Sequence, residues 1–464
     1  MLIMIFIISL ILLFFMGACI AAITEKILKY NFHFLEFLAC SFLFGITASV
    51  AEIFLFSILN TAFTAKNIML FSALPITVGS IIVFNKLPCL AHALKIQNTK
   101  AKHKFKTIEL IFICGLIIQF LWIIFFVYLI PINSHDAIAN YALKAKIFTL
   151  EKTVPSGFWT WPEETVSHAD YPPFVPFLMT WIYAFTGFND YIITMILPIL
   201  YAVFLVLFYS LMKKSFTRTY SLCAIFILGT TRQLVDYATI IHADFFLLVF
   251  VTIGFFYFSL YVRNRQKSHL LLSAIFFSSS IWIKNEAILF NGVFILHAFI
   301  FELKNSNSRR EALTRLYETL VIIFCLSLPW LIFKHSAGMI NSDMNLSCVT
   351  LNSVIKNLKD MPILLDLFQQ EIFGPKKWNI FWIIFFAVLI WKRKNLKKRE
   401  HIYEIHFILL SSIGYFLAYM FMTENNLFFY VNTTISRFML HFTGLALIVL
   451  SFLIENETKK NFEE

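Results

Sequence analysis

Apolar runs long enough to cross a membrane recur from one end of this 464-residue chain to the other, and no fold surrounded by water can absorb them. A crossing helix needs about 20 apolar residues. In hydrocarbon each crossing segment must satisfy its own backbone polar groups, so these runs are expected to be helices. They fall near 2–23, 35–59, 68–84, 107–131, 191–212, 219–231, 243–262, 269–283, 287–302, 318–334, 379–392, 404–422 and 437–454. Composition agrees: 59% of the residues are hydrophobic and 14% charged. The expected class is an all-α polytopic membrane protein with about 13 transmembrane helices and no separate water-soluble domain. The first run lacks a positive n-region and exceeds the 7–15 residues of a signal core, so it reads as a retained span. The seven cysteines are scattered without paired spacing and suggest neither a disulfide framework nor a zinc site.

The net charge of +11 is not a nucleic-acid signal, because the basic residues fall in short blocks between spans. These are Lys95 to Lys106, Lys213–Lys214–Arg218, Arg263–Arg265–Lys267, Lys304 to Arg315 and Lys392 to Arg399, and positive-inside bias makes each cytoplasmic. Residues 132–171 then lie outside. Two apolar stretches, 173–187 and 191–212, separate that loop from the cytoplasmic Lys213–Arg218 block, where only an odd number of crossings is allowed. The shorter one is expected to be a re-entrant half-helix with both ends outside, tolerated only where protein or a water-filled cavity covers it. Following the count onward, Asp244, Lys284, Asn285, Glu286 and Arg437 also reach the outer face. Ionisable groups so close to hydrocarbon are costly and commonly mark a site.

The outer clusters have a recognisable order. Ile-Asn-Ser-His-Asp (132–136) follows a span, an amphipathic stretch comes next, and then Ser-His-Ala-Asp-Tyr-Pro-Pro (167–173). Ile-His-Ala-Asp-Phe (241–245) opens a later span, Ile-Lys-Asn-Glu-Ala (283–287) joins two spans, and Ser-Arg-Phe-Met-Leu (436–440) leads into the last. From about 107 to 454 this pattern resembles the GT-C superfamily of membrane glycosyltransferases, closest to its protein O-mannosyltransferase-like and aminoarabinose-transferase-like members. Three spans precede the one leading to Asp136, where the superfamily pattern has the acidic loop after its first span. Ala287 also stands where that pattern has Gly.

The resemblance implies a GT-C-like bundle with a large first catalytic outer loop. It implies transfer of a sugar from a polyprenyl-phosphate carrier to a lipid, glycan or protein acceptor, at the outer face of what would be a bacterial inner membrane. Such chemistry needs a base for the acceptor hydroxyl while the lipid phosphate leaves, and a positioned carboxylate serves. Asp136 is the candidate base; the alternative is that it caps the helix it opens. Asp170 would orient the acceptor or a basic residue, or cap the half-helix that begins at the two prolines, with His168 and Tyr171 beside it as substrate contacts. Asp244 would pair with a cation or cap its span. Lys284 and Arg437 are the expected phosphate partners, with Glu286 holding Lys284, unless both cations only snorkel to headgroups.

Around these, Ile138, Tyr141, Ala142, Ala145 and Phe148 share one helical face, which reads as an interfacial helix or an ordinary packed one, with Lys144 and Lys146 reaching outward. Trp159, Trp161 and Tyr171 suit an interface belt or a sugar platform. The segment 335–378, with Asp343, Asp360, Asp366 and Glu371, forms a second outer loop able to cover the site, and Asn345-Leu346-Ser347 fits a glycosylation acceptor. Three outer aspartates are compatible with a divalent metal ion, although no ligand spacing demands one, and no other cofactor is implied. Glu52, inside the second span, matches nothing in the pattern. The expected division is 1–106 additional spans, 107–334 a catalytic core with loop 132–172, 335–378 the second loop, and 379–464 the last spans with a short tail. The competing function is a transporter or flippase for a lipid-linked or anionic solute, which would want ionisable groups near the midplane and usually repeated halves.

Overall fold

The computed structural model describes residues 1–100, 105–339, 349–421 and 427–458; of residues 89–100, 375 and 455–458 it describes the backbone alone. Asp343, the Asn345-Leu346-Ser347 triplet and the middle of the Lys95–Lys106 block lie outside what is described. Among the described residues every regular element is helical. Among the described residues ten helices are long and apolar enough to cross a membrane, which makes the chain an integral polytopic protein. The expected count of thirteen is not reached on that criterion. The runs at 219–231, 269–283 and 379–392 form helices of only 12, 14 and 11 residues, about 16–21 Å at 1.5 Å per residue against roughly 30 Å of hydrocarbon.

The chain divides into two compact units. The first holds α1 (Leu2–Leu28), α2 (Phe34–Ile58), α3 (Ala65–Lys100), α4 (Thr107–Leu129), a π turn at Ala137–Ala142 running into α5 (Leu143–Glu151), α6 (Phe174–Thr186), α7 (Asp190–Ile193), α8 (Ile196–Met212) and α9 (Arg218–Gly229). It also holds residues 237–242. Its first three helices meet backbone to backbone. A Cβ built on Gly17 would fall 1.8 Å from the Ser41 carbonyl, one on Gly45 2.2 Å from that of Leu13, and one on Gly79 1.8 Å from that of Phe15. Small residues allow such approach where lipid offers no hydrophobic drive for helices to associate. At one end of the unit Glu25 pairs with Lys86 at 2.7 Å, Glu36 with Lys214 at 2.8 Å and Glu109 with Arg218 at 2.7 Å. Two cations of the Lys213–Arg218 block are thus paired with carboxylates that are almost fully buried.

At the other end the α2–α3 turn joins the segment after α5, since Phe63 N–H donates to the Lys152 carbonyl at 2.8 Å. The short apolar run at 173–187 forms α6, a helix of 13 residues with Pro173 as its N-cap residue. It runs alongside α5: Phe148 and Trp159 meet Phe177 near its start, and Lys146 lies over the ring of Phe188 just past its end. Both ends of α6 therefore lie beside the same short helix.

The second unit holds residues 170–172, α10 (Arg232–Tyr237, to Asp236), α11 (Ala243–Asn264), α12 (Lys267–Ser280), α13 (Ala287–Asn305), α14 (Arg309–Ser336), α15 (Leu351–Lys359), α16 (Met361–Phe373), α17 (Pro375–Trp378), α18 (Phe381–Trp391), α19 (Arg399–Met420) and α20 (Leu427–Thr458). Its centre is α11, whose residues from Ala243 to Val262 are all buried, packed against α12, α19 and α20. Basic blocks are again paired: Arg263 with Glu404, and Arg265 and Arg315 with the fully buried Glu302. In the expected second outer loop, α16 packs its Leu364 and Leu367 on Val431 and Ile435 of α20.

Candidate functional site

Asp136 closes the irregular segment after α4. The π turn that follows has Asp136 at its N-cap position, but the carboxylate makes no capping hydrogen bond. Ser134 Oγ takes that role, accepting from Ala137 N–H at 3.2 Å. The capping alternative for Asp136 is therefore corrected. Its Oδ2 instead lies 2.9 Å from His242 Nε2, and its Oδ1 lies 3.6 Å from His135 Nδ1. The His242 ring is held edge-on by Tyr141 and Tyr237, with centroids 5.2 and 5.8 Å away. The clamped imidazole meets one oxygen of Asp136, whose side chain is 32% exposed. His242, which enters the sequence pattern only within Ile-His-Ala-Asp-Phe (241–245), is the partner of the candidate base.

Around the π turn two side chains face otherwise than expected. A π turn carries one residue more than an α turn, shifting the helical phase, and such turns are frequent at functional sites. Lys144, expected to reach toward headgroups, is 1% exposed and its ammonium donates to the His168 carbonyl. Ile138, expected on the buried face, is exposed. Lys146 alone of the two lysines points outward. His168 sits in left-handed backbone with φ 48°, and its N–H donates to the Glu163 carboxylate at 2.9 Å. Lys144 and Glu163 thus pin the His168 peptide from both sides. Trp159 is neither belt nor platform: it is buried against Phe148, Phe158 and Phe177. Replacing Lys144 with Met is expected to loosen residues 163–168 at a cost of about 1.5–3 kcal/mol. The loop should then be cut faster in limited proteolysis of the membrane-inserted protein, and an unchanged cleavage rate would remove Lys144 from this role.

In the second unit the remaining charges converge. Lys284, on the α12–α13 turn and 8% exposed, places Nζ 2.8 Å from Asp244 Oδ1 and 2.9 Å from Glu286 Oε1. Asp244 is fully buried in the first turn of α11 and lies 3.0 Å from His441 Nε2. Its expected role as partner of a cation agrees with this geometry, and so does that of Glu286 as the holder of Lys284. His441 Nδ1 in turn lies 2.8 Å from the Tyr415 hydroxyl. Arg437 stands one turn before His441 on α20, at i and i+4. Lys334 donates to Asn285 Oδ1 at 2.8 Å and sits in the field of Asp170 and Glu286. Asp170 is buried, three residues before Pro173, the N-cap residue of α6. Tyr171 beside it is half-buried. Lys284 does not snorkel, because its ammonium is enclosed by carboxylates. Among the described residues no three His, Cys, Asp or Glu side chains gather in a group able to hold a metal ion.

Six of these residues fall within a segment that matches a known family. Residues 170–333 match the family model described as dolichyl-phosphate-mannose-protein mannosyltransferase. That segment is a GT-C type membrane glycosyltransferase domain. It includes Asp170, Tyr171, His242, Asp244, Lys284 and Glu286, whereas Asp136, His168, Lys334 and Arg437 lie outside it. No curated protein and no solved structure matches the chain.

The second unit holds three residues that the sequence did not single out: His441, Tyr415 and Lys334. A signal existed for His441, four residues past Arg437 in an apolar span, where an ionisable group is costly. Tyr415 and Lys334 carried none, since a tyrosine in a span and a lysine at a span end are ordinary.

Proposed function

We propose that this membrane glycosyltransferase moves a sugar from a polyprenyl-phosphate carrier to an acceptor hydroxyl at the outer face of the membrane, with Asp136 as general base. The observation that carries the proposal is the Asp136–His242 pair at 2.9 Å, which holds a partly exposed carboxylate at the edge of the loop after α4. The acceptor hydroxyl would give its proton to Asp136 as its oxygen bonds to the anomeric carbon, and the carbon–phosphate-oxygen bond would break to release polyprenyl phosphate. Charge then grows on the leaving phosphate. Lys284, Lys334 and Arg437 are the cations proposed to meet it, the guanidinium able to bind through two N–H groups. Glu286 already occupies Lys284, so the donor phosphate would have to compete with that carboxylate.

The assay is direct. Purified protein supplied with a polyprenyl-phosphate sugar is expected to release free polyprenyl phosphate in an acceptor-dependent way. Movement of the intact lipid across a vesicle bilayer without release would instead favour the flippase reading.

Outer-face action has its own test. In a variant lacking the seven native cysteines, single cysteines at Glu164 and Phe188 are expected to react with an impermeant thiol reagent from outside, and one at Lys213 only from inside. Phe188 is preferred to Gly187, whose φ of 72° would strain any side chain. Labelling of Phe188→Cys only from the cytoplasm would mean that α6 crosses the membrane.

A further inference from the structure

Glu52 has no part in the chemistry above, yet it is a buried carboxylate inside a span, a costly position. It is 3% exposed within α2, and its carboxylate accepts from Ser72 Oγ of α3 at 2.9 and 3.0 Å and from Trp181 Nε1 of α6 at 2.9 Å. Glu52 lies six residues from the last residue of α2 and Ser72 seven from the first of α3, which sets the pair about 10 Å below the α2–α3 turn. We propose that α1–α3 form a platform that fixes the position of the half-helix α6, and through α6 the helix that begins at Asp136, with Glu52 as the positioning residue.

The argument starts from what apolar packing cannot do. Lipid competes on equal terms for apolar faces, so a helix packed only by them is held weakly against rotation or sliding. A buried carboxylate removes that freedom, because it is satisfied only while its donors stay within hydrogen-bond reach. One residue of slip carries Trp181 about 1.5 Å along the axis and 100° around it, enough to break its bond to Glu52. Phe177 lies one turn before Trp181 on the same stripe of α6 and packs on Phe148 of α5 at 5.6 Å. The same slip would move Phe177 off Phe148, and α5 continues the π turn that Asp136 opens. The Phe63–Lys152 hydrogen bond ties the platform to the far end of α5. Three helices that serve no chemical step thereby hold both neighbours of the candidate base.

This inference rests on the role proposed for Asp136, and the experiment separates the two. Cysteine at Phe188 reports on α6 by its rate of reaction with an impermeant thiol reagent, a readout that needs no catalysis. Glu52→Leu, which removes the acceptor, is expected to raise that rate severalfold. It should lower kcat about ten- to a hundredfold, the scale of a misplaced reacting group, and leave the donor KM unchanged. Glu52→Gln keeps an acceptor oxygen for Trp181 and should restore both readouts to within about threefold of wild type. Trp181→Phe, which keeps the ring and loses the N–H, should reproduce the Leu phenotype and carries the test if Glu52→Leu does not insert. Unchanged labelling and kcat in Glu52→Leu or Trp181→Phe would overturn the proposal, as would failure of Gln to rescue. Altered labelling together with a wild-type protein inert toward polyprenyl-phosphate sugars would leave the platform standing and sink the proposed reaction.

Discussion

Asp136→Asn is expected to lower transfer from a polyprenyl-phosphate sugar by about 10²–10⁴-fold, the usual contribution of a general base. The substitution isolates the chemistry. An amide has the shape of the carboxylate and its oxygen can still accept from His242 Nε2, so the 2.9 Å contact survives. Asp136 is a third exposed, so the charge that is lost is partly solvated. Insertion and thermal stability should therefore match wild type, and the loss should appear in kcat with little change in donor KM, since deprotonation is realised in the transition state. Near-wild-type turnover in the Asn variant would reduce the Asp136–His242 pair to a loop anchor.

Lys284→Ala should have a large effect of a different kind. Asp244 is fully buried, and removing the ammonium 2.8 Å from it breaks a buried ion pair. Breaking a buried pair in this way costs about 3–5 kcal/mol, so the variant is expected to insert or accumulate poorly, whatever its role toward substrate. Activity of the single variant thus says little. The informative protein is the double variant Lys284→Met with Asp244→Asn, which replaces the pair by neutral groups of similar volume. Its stability should recover most of the loss, because replacing a buried pair as a whole is often neutral. If Lys284 meets the leaving phosphate, the recovered protein should still show donor KM or turnover impaired about ten- to a hundredfold, the worth of a charge-assisted contact. Recovery of both stability and turnover would make Lys284 a structural cation, leaving the phosphate to Arg437 and Lys334.

Much of the scaffold was legible before any coordinates. Apolar length placed the spans, and two prolines at 172–173 followed by a run too short to cross announced α6. Lys284, Asn285 and Glu286 are close in the chain, so the Lys284–Glu286 pair could be expected from local spacing. Span number was less legible. The runs at 219–231 and 269–283 look apolar enough to cross, but hydropathy does not say where a helix will end, and both helices stop short.

What the sequence by itself determined was class, helical periodicity and where charge interrupts hydrocarbon, because these depend on residues within about one span of each other. The tertiary structure alone decided which charges meet. Asp136 finds His242 across 106 residues, and Glu52 finds Trp181 across 129. No local pattern encodes those pairings; they follow from which helices pack side by side. Lys144 shows the same limit at short range. Its burial goes with the His168 carbonyl that receives its ammonium 24 residues further on, a partner that helical periodicity does not announce.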